Sequence, residues 1–293
     1  MNSLEKSFIL GRRLASAVDG TLRVITEKTT GHQYACKSVD WSDSIAVLHA
    51  RAEINMLERL RGHPNIITYH GHFEDRGQLH IVMDLEGNDL CSHLRETGPC
   101  PEKEAARVLK AVVSAIAFCH ERGVMHRDIK PDNILLPSRK SGYENVKLAD
   151  FGTSADFSDR RRFRDVEGTI YYVAPEVLTG TGYDENVDIW GLGILLYVIL
   201  SGYLPFHGNT EADIFWNIKT RSLNLNRSPW REISAQAKDL LKGMLQKNPH
   251  RRLGLADFMA HPWLNRKETN ESDSQSEPED MLIDSEPEDM LID

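Results

Sequence analysis

Apolar residues in the first 85 positions fall in short runs broken by glycine and polar turns. Leu22–Thr26 and Gln33–Val39 flank a stretch from Lys28 to Gly31, where glycine supplies the positive φ that a hairpin connection needs. The spacing then lengthens: Ile45, Leu48, Ile54 and Leu57 predict a helix over Ser44–Leu60. Ile66–Phe73 and Leu79–Leu85 return to strand character, joined by a polar turn at Asp75–Gly77. Beyond residue 90 the pattern becomes helical. Pro101 suits the opening and Gly123 the close of a helix on which Val108, Leu109, Val112, Ile116 and Cys119 recur. Ile189–Leu200 is apolar all round and reads as a buried helix, since spanning a bilayer takes about 20 residues. The expectation is an α+β chain: a β-rich lobe at about 8–85, then a larger α-helical lobe at about 86–265.

The last 28 residues break the pattern. Ser276–Asp284 and Ser285–Asp293 are the same nine residues in tandem, acidic and containing proline, and are expected to be disordered. This tail also changes the meaning of the net charge of −9. Residues 266–293 hold eleven acids and two bases, leaving 33 of each in residues 1–265. A balanced body with an acidic tail argues against a nucleic-acid partner. Nothing at the N-terminus resembles a signal peptide, and position 2 is Asn rather than the Gly of myristoylation. The four cysteines lack C-x-x-C spacing and read as free thiols in a reducing compartment. The expected location is cytoplasmic, with the nucleus as a second compartment, and no membrane partner is expected.

Candidate chemistry lies in an ordered series. In His126–Asn133, Asp128 is placed to orient a hydroxyl and take its proton, and Lys130 to neutralise a moving phosphoryl group. Asn133 offers a hard carbonyl oxygen suited to magnesium. Seventeen residues on, Asp150 opens Asp-Phe-Gly and offers a second oxygen ligand. In the β-rich lobe, Lys37 closes Tyr-Ala-Cys-Lys on a predicted strand, and Glu53 on the following helix is placed to pair with it. His63, His70, His72 and His80 lie on a loop and two strands without ligand spacing and read as ordinary residues.

This series resembles the eukaryotic protein kinases over about residues 8–265. The resemblance implies a bilobal kinase-like fold acting on protein substrates, with ATP and Mg2+ (Mn2+ as the alternative ion) in the cleft. It implies that Lys37 holds the α/β-phosphates, that Asp128 is the base, and that Asn133 and Asp150 hold the metal. Leu14, Ala15, Ser16, Ala17, Gly20 and Leu22 would cover the nucleotide. Met83 would be the gatekeeper, and Asp84 to Glu86 would bond adenine through backbone groups. Lys-Pro-Asp-Asn at 130–133 matches the serine/threonine branch, with Thr169 beside Asp128 and Lys130. Glu176 should pair with Arg252, and Asp188 should anchor the catalytic loop. Asp132 and Asp89 are acids that would read a basic substrate. Val198 stands where some arginine-selective kinases carry a carboxylate, so any arginine preference should be modest. Closer in, the text is similar to plant calcium-dependent kinases and to the phosphoenolpyruvate carboxylase kinases. There is no EF-hand loop, and no basic amphipathic helix follows residue 264, so calcium control within this chain is not expected.

Two places depart from the family. The phosphate-covering loop, Ala15 to Leu22, keeps only Gly20 of three glycines and adds Asp19 near an anionic triphosphate. Weaker ATP binding follows, and an inactive scaffold is the alternative reading. The segment from Met83 to Leu90 is one residue shorter than in relatives, which leaves Asp89 an uncertain ribose contact. Arg127 calls for an anion, from phosphorylated Ser158 or from Asp156, Asp159, Asp165 or Glu167, with the acids preferred. The acidic tail is a candidate for binding a partner or the basic segment Arg160–Arg164.

Overall fold

Hairpin turns and a capped helix account for the first lobe of the computed structural model, which describes residues 3–17, 20–137, 142–159 and 162–265. Strands β1 (Phe8–Ala17), β2 (Gly20–Glu27), β3 (Gln33–Asp40), β4 (Tyr69–Asp75) and β5 (Gln78–Asp84) form an antiparallel sheet in the order β1-β2-β3-β5-β4. A short helix, α1 (Leu4–Ser7), leads into β1. It was not expected from the sequence, because Leu4 is buried in a cluster that, besides nearby Phe8, draws on Ile25, Cys36 and Val82 from distant strands. Between β3 and β4 runs α2 (Ser44–Arg59). Asp43 caps it, accepting from the Ile45 and Ala46 amides and so satisfying N–H groups the first turn leaves open. The expected strand at Ile66–Phe73 begins only at Tyr69. Ile66 and Ile67 instead meet Leu148, with the Ile67 amide 2.9 Å from the Leu148 carbonyl.

The second lobe contains α3 (Leu90–Thr97), α4 (Glu102–Glu121), α5 (Asn186–Ser201), α6 (Glu211–Thr220), α7 (Ala235–Met244) and α8 (Leu255–Ala260). Two small antiparallel ladders sit under the sheet lobe. β6 (Val124–Met125) pairs with β9 (Ala155–Asp156), and β7 (Ile134–Leu135) with β8 (Lys147–Leu148). The α5 helix is buried on every face from Val187 to Ser201, as its all-round apolarity requires. One continuous core runs from Val39 and Leu57 in the first lobe through Ile116 and Phe151 to Trp263. No helix among the described residues is long and apolar enough to cross a membrane. All four cysteines are buried free thiols. Burial raises the thiol pKa to about 11 at Cys36 and Cys91 and about 12 at Cys100, and raises that of Cys119 as well.

Candidate active site

Lys37 lies in the middle of β3, paired with Leu22 on one side and Ile81 on the other, and reaches across to α2. Its Nζ stands 2.7 Å from Glu53 Oε2 and 3.8 Å from Asp150 Oδ1. Glu53 is buried. Desolvation pushes its carboxyl up from the ordinary range, and the Lys37 ammonium pulls against that shift. Asp150 is half exposed and holds a positive φ of 60°, with its Oδ1 accepting the Gly152 amide at 3.3 Å. A side chain at 152 would put a methyl 3.2 Å from Asp150 Oδ1 and 3.6 Å from Lys37 Nζ. Glycine therefore keeps this junction clear.

Opposite stands the loop from His126 to Asn133. Buried Asp188 of α5 accepts the His126 amide at 2.9 Å and the Arg127 amide at 2.8 Å, as expected. His126 packs its ring edge-on to Phe151 at 4.8 Å. Arg127 holds a positive φ of 71°, a conformation that costs a non-glycine residue about 1–3 kcal/mol and persists only under many constraints. The constraints are present: its guanidinium donates to the Thr153 carbonyl, the Tyr183 hydroxyl and Asp165 Oδ2, the last at 2.5 Å. Of the acids considered, Asp165 supplies the anion, whereas Asp156 turns to Ser158 and Arg59. Asp128 Oδ1 accepts the Thr169 amide at 2.8 Å, and its Oδ2 lies 2.8 Å from Lys130 Nζ. Burial opposes ionisation of Asp128, but Lys130 and the Thr169 hydrogen bonds prevail and hold its pKa below the usual carboxylate range. Lys130 Nζ also donates to Thr169 Oγ1 at 2.6 Å. The Nδ2 of buried Asn133 goes to the Asp128 carbonyl at 2.8 Å, which leaves Oδ1 as its oxygen for a cation. Asn133 and Asp150 are hard oxygen donors too few to close a cage, which suits Mg2+ completed by phosphate oxygens and water.

Residues 11–264 match the protein kinase domain family. The chain belongs to that family. It is 39% identical over 268 residues to Calcium-dependent protein kinase 29 of Arabidopsis thaliana, covering 90% of this chain and 50% of that one. It is 40% identical over 261 residues to Calcium-dependent protein kinase 9 of the same plant, covering 88% and 48%. With Calcium-dependent protein kinase 19 of Oryza sativa subsp. japonica it shares 37% over 268 residues, covering 90% and 50%. The chain spans about half the length of the curated relatives it matches.

Within this kinase domain, the hairpin expected to cover a nucleotide keeps its register: Ala15 opposite Leu22, Ser16 opposite Thr21, Ala17 opposite Gly20. Leu14 and Leu22 are half-buried and Ala15 is exposed. Gly20 has a reason that sequence reasoning missed. At its φ of 149°, a Cβ would stand 2.3 Å from the Ser38 carbonyl, so packing on β3 demands glycine whatever lies above. Asp19, Arg160, Arg161 and the tail lie outside the described residues. Asp89 caps α3, accepting from the Ser92 amide at 2.6 Å and hydroxyl at 3.0 Å, so both carboxylate oxygens are occupied. Val198 is fully buried. Arg252 grips Glu176 with two bonds of 2.6 and 2.8 Å. The four histidines each take a side-chain partner: His63 with Ser114, His70 with Asp84, His72 with Tyr69, and His80 with Ser38. Sequence reasoning also missed Lys147, whose partners Asp84 and Glu86 lie far back in the chain.

Proposed function

We propose that the chain is an ATP-dependent protein serine/threonine kinase. The observation that carries this reading is one assembled cleft. Lys37 is closed on Glu53 at 2.7 Å and faces Asp150, while Asp128 is held by Lys130 and Thr169. Asp128 takes the proton of the acceptor hydroxyl as its oxygen bonds the γ-phosphorus and the bond to ADP breaks. Lys130 sets its charge beside that oxygen, and Lys37 holds the nucleotide's phosphates. Asn133 and Asp150 would hold Mg2+ or Mn2+, which when bound would neutralise phosphate charge. Positioning and charge neutralisation supply the acceleration in this reaction class. Thr169, hydrogen-bonded to Lys130, lies where a serine or threonine hydroxyl would approach. The adenine falls to the backbone of Asp84 and Glu86, and the covering hairpin to residues 14–22.

The test is phosphotransfer from radiolabelled ATP to a generic protein acceptor by the purified full chain with Mg2+ or Mn2+. Label on serine and threonine is expected, and its loss in Lys37→Met. Absence of label in wild-type protein overturns the enzyme reading and leaves the scaffold alternative. The calcium in the relatives' names is assigned to no residue of this chain, which carries no EF-hand loop. We propose the acidic tail, with eleven acids to two bases, as a binder of a partner or of the basic segment Arg160–Arg164. A cytoplasmic location, with the nucleus second, fits the four unpaired thiols.

A further inference from the structure

The connection between the lobes runs from Asp84 at the end of β5 to Asp89 at the start of α3. Its backbone is strapped at both ends. The Asp84 amide donates to the Thr68 carbonyl at 3.0 Å, and the Gly87 amide to the Leu136 carbonyl at 3.0 Å. The Leu136 amide returns to the Asn88 carbonyl at 2.9 Å. A Cβ at 87 would meet the Leu136 carbonyl at 2.8 Å, so the strap is tight. Along this strapped connection stand two acids at alternate positions, Asp84 and Glu86. Carboxylates two residues apart on extended backbone share a side and repel.

One cation lies between them. Lys147 Nζ is 3.1 Å from Asp84 Oδ2 and 3.6 Å from Glu86 Oε1, and donates to Thr68 Oγ1 at 3.1 Å. Lys147 is carried by β8, which pairs with β7 in the helical lobe and receives Ile67 from the sheet lobe. His70 of β4 holds the other Asp84 oxygen at 2.6 Å. Both carboxylates of the connection are thus fixed by side chains outside it.

We propose that Lys147 is a positioning residue for the nucleotide's base. Its ammonium ties Asp84 to Glu86 and so sets the peptide groups that receive adenine. This rests on the reading of the cleft as an ATP site. Backbone donors and acceptors can be tuned only by orienting them, and small misplacements weaken a bound geometry steeply. The triphosphate end, held by Lys37 and the metal ligands, lies outside the reach of the clamp.

The experiment compares wild-type full chain with Lys147→Met and Lys147→Arg. It reads binding of Mg2+-ATP and of Mg2+-tripolyphosphate by calorimetry, and KM and kcat in the phosphotransfer assay. Lys147→Met should raise the Kd and KM for ATP about fivefold or more while kcat and tripolyphosphate affinity stay within about twofold, the signature of lost uniform binding. Lys147→Arg should restore ATP affinity. Asp84→Asn, which removes one arm and keeps the lysine, should give a smaller rise of the same kind and serves if the methionine variant fails to fold. Unchanged ATP affinity, equal loss for ATP and tripolyphosphate, or no rescue by arginine overturns the clamp. A wild-type chain that binds neither ligand overturns the ATP reading and the clamp with it. Binding without phosphotransfer defeats only the enzyme reading, and the calorimetric arm still decides the clamp.

Discussion

Ala15 and Ala17 occupy the positions at which glycine is expected from the sequence, on the hairpin that would cover the triphosphate. Ala15→Gly combined with Ala17→Gly should tighten ATP binding, because the backbone gains a closer approach. The same change should lower stability by about 0.5–1 kcal/mol per site, the cost of glycine in a strand. Calorimetry and thermal melting check the two halves, and unchanged affinity refutes the first. Asp165 is the second test at this scale. It gives Arg127 a permanent anion, so phosphatase treatment should leave activity unchanged. Asp165→Asn should lower kcat about tenfold, equivalent to about 1.4 kcal/mol. Much of this chemistry could be read from the chain, because Lys37, Asp128, Asn133 and Asp150 sit in short ordered motifs. Gly20 could be placed but not explained, since the atom that forbids its side chain is the Ser38 carbonyl on another strand. Lys147 carried no local signal, because its partner Asp84 lies 63 residues away.

Asp156 and Arg59 together join three elements. On β9, Asp156 receives the Arg59 guanidinium of α2 at 2.5 Å and both the amide and hydroxyl of Ser158, and Arg59 also donates to the Arg122 carbonyl after α4. The Ser158 hydrogen bonds, led by the hydroxyl, lower its pKa to about 2, with Arg59 adding to the shift. The folded value is below the unfolded one, so the stability it confers is complete above about pH 4 and fades as pH falls toward about 2. Urea midpoints of wild type and Asp156→Asn should therefore differ at neutral pH and converge through that window. The Glu176–Arg252 pair is buried, so Glu176→Gln leaves a charge without its counter-ion and should cost about 3–5 kcal/mol in urea unfolding. Element types were legible wherever periodicity was long, as in α2 and α4. Edges decided by remote contacts were not. Ile66 and Ile67 look like strand, but the Ile66 amide turns back to the His63 carbonyl and the Ile67 amide goes to Leu148, and the two-residue ladder of β6 with β9 exists only because a folded loop brings the strands together.

The two-lobed division could be read from the switch in hydrophobic spacing near residue 90, since a sheet lobe and a helical lobe demand different periods. A binding site for the tail could not, because charge alone does not set a position. Deleting residues 266–293 should raise activity toward protein substrates, most at low ionic strength, where several weak attractions act together. Equal activity of both forms at all salt concentrations ends that idea. The burial of the four thiols has a practical side. Cys36 precedes Lys37 but faces a closed apolar cluster, and burial raises the pKa of all four thiols, which disfavours a reactive thiolate at neutral pH. Thiol-directed electrophiles would thus find no cysteine handle in the folded chain, and chemical silencing of the molecule is better sought through reversible occupancy of the cleft.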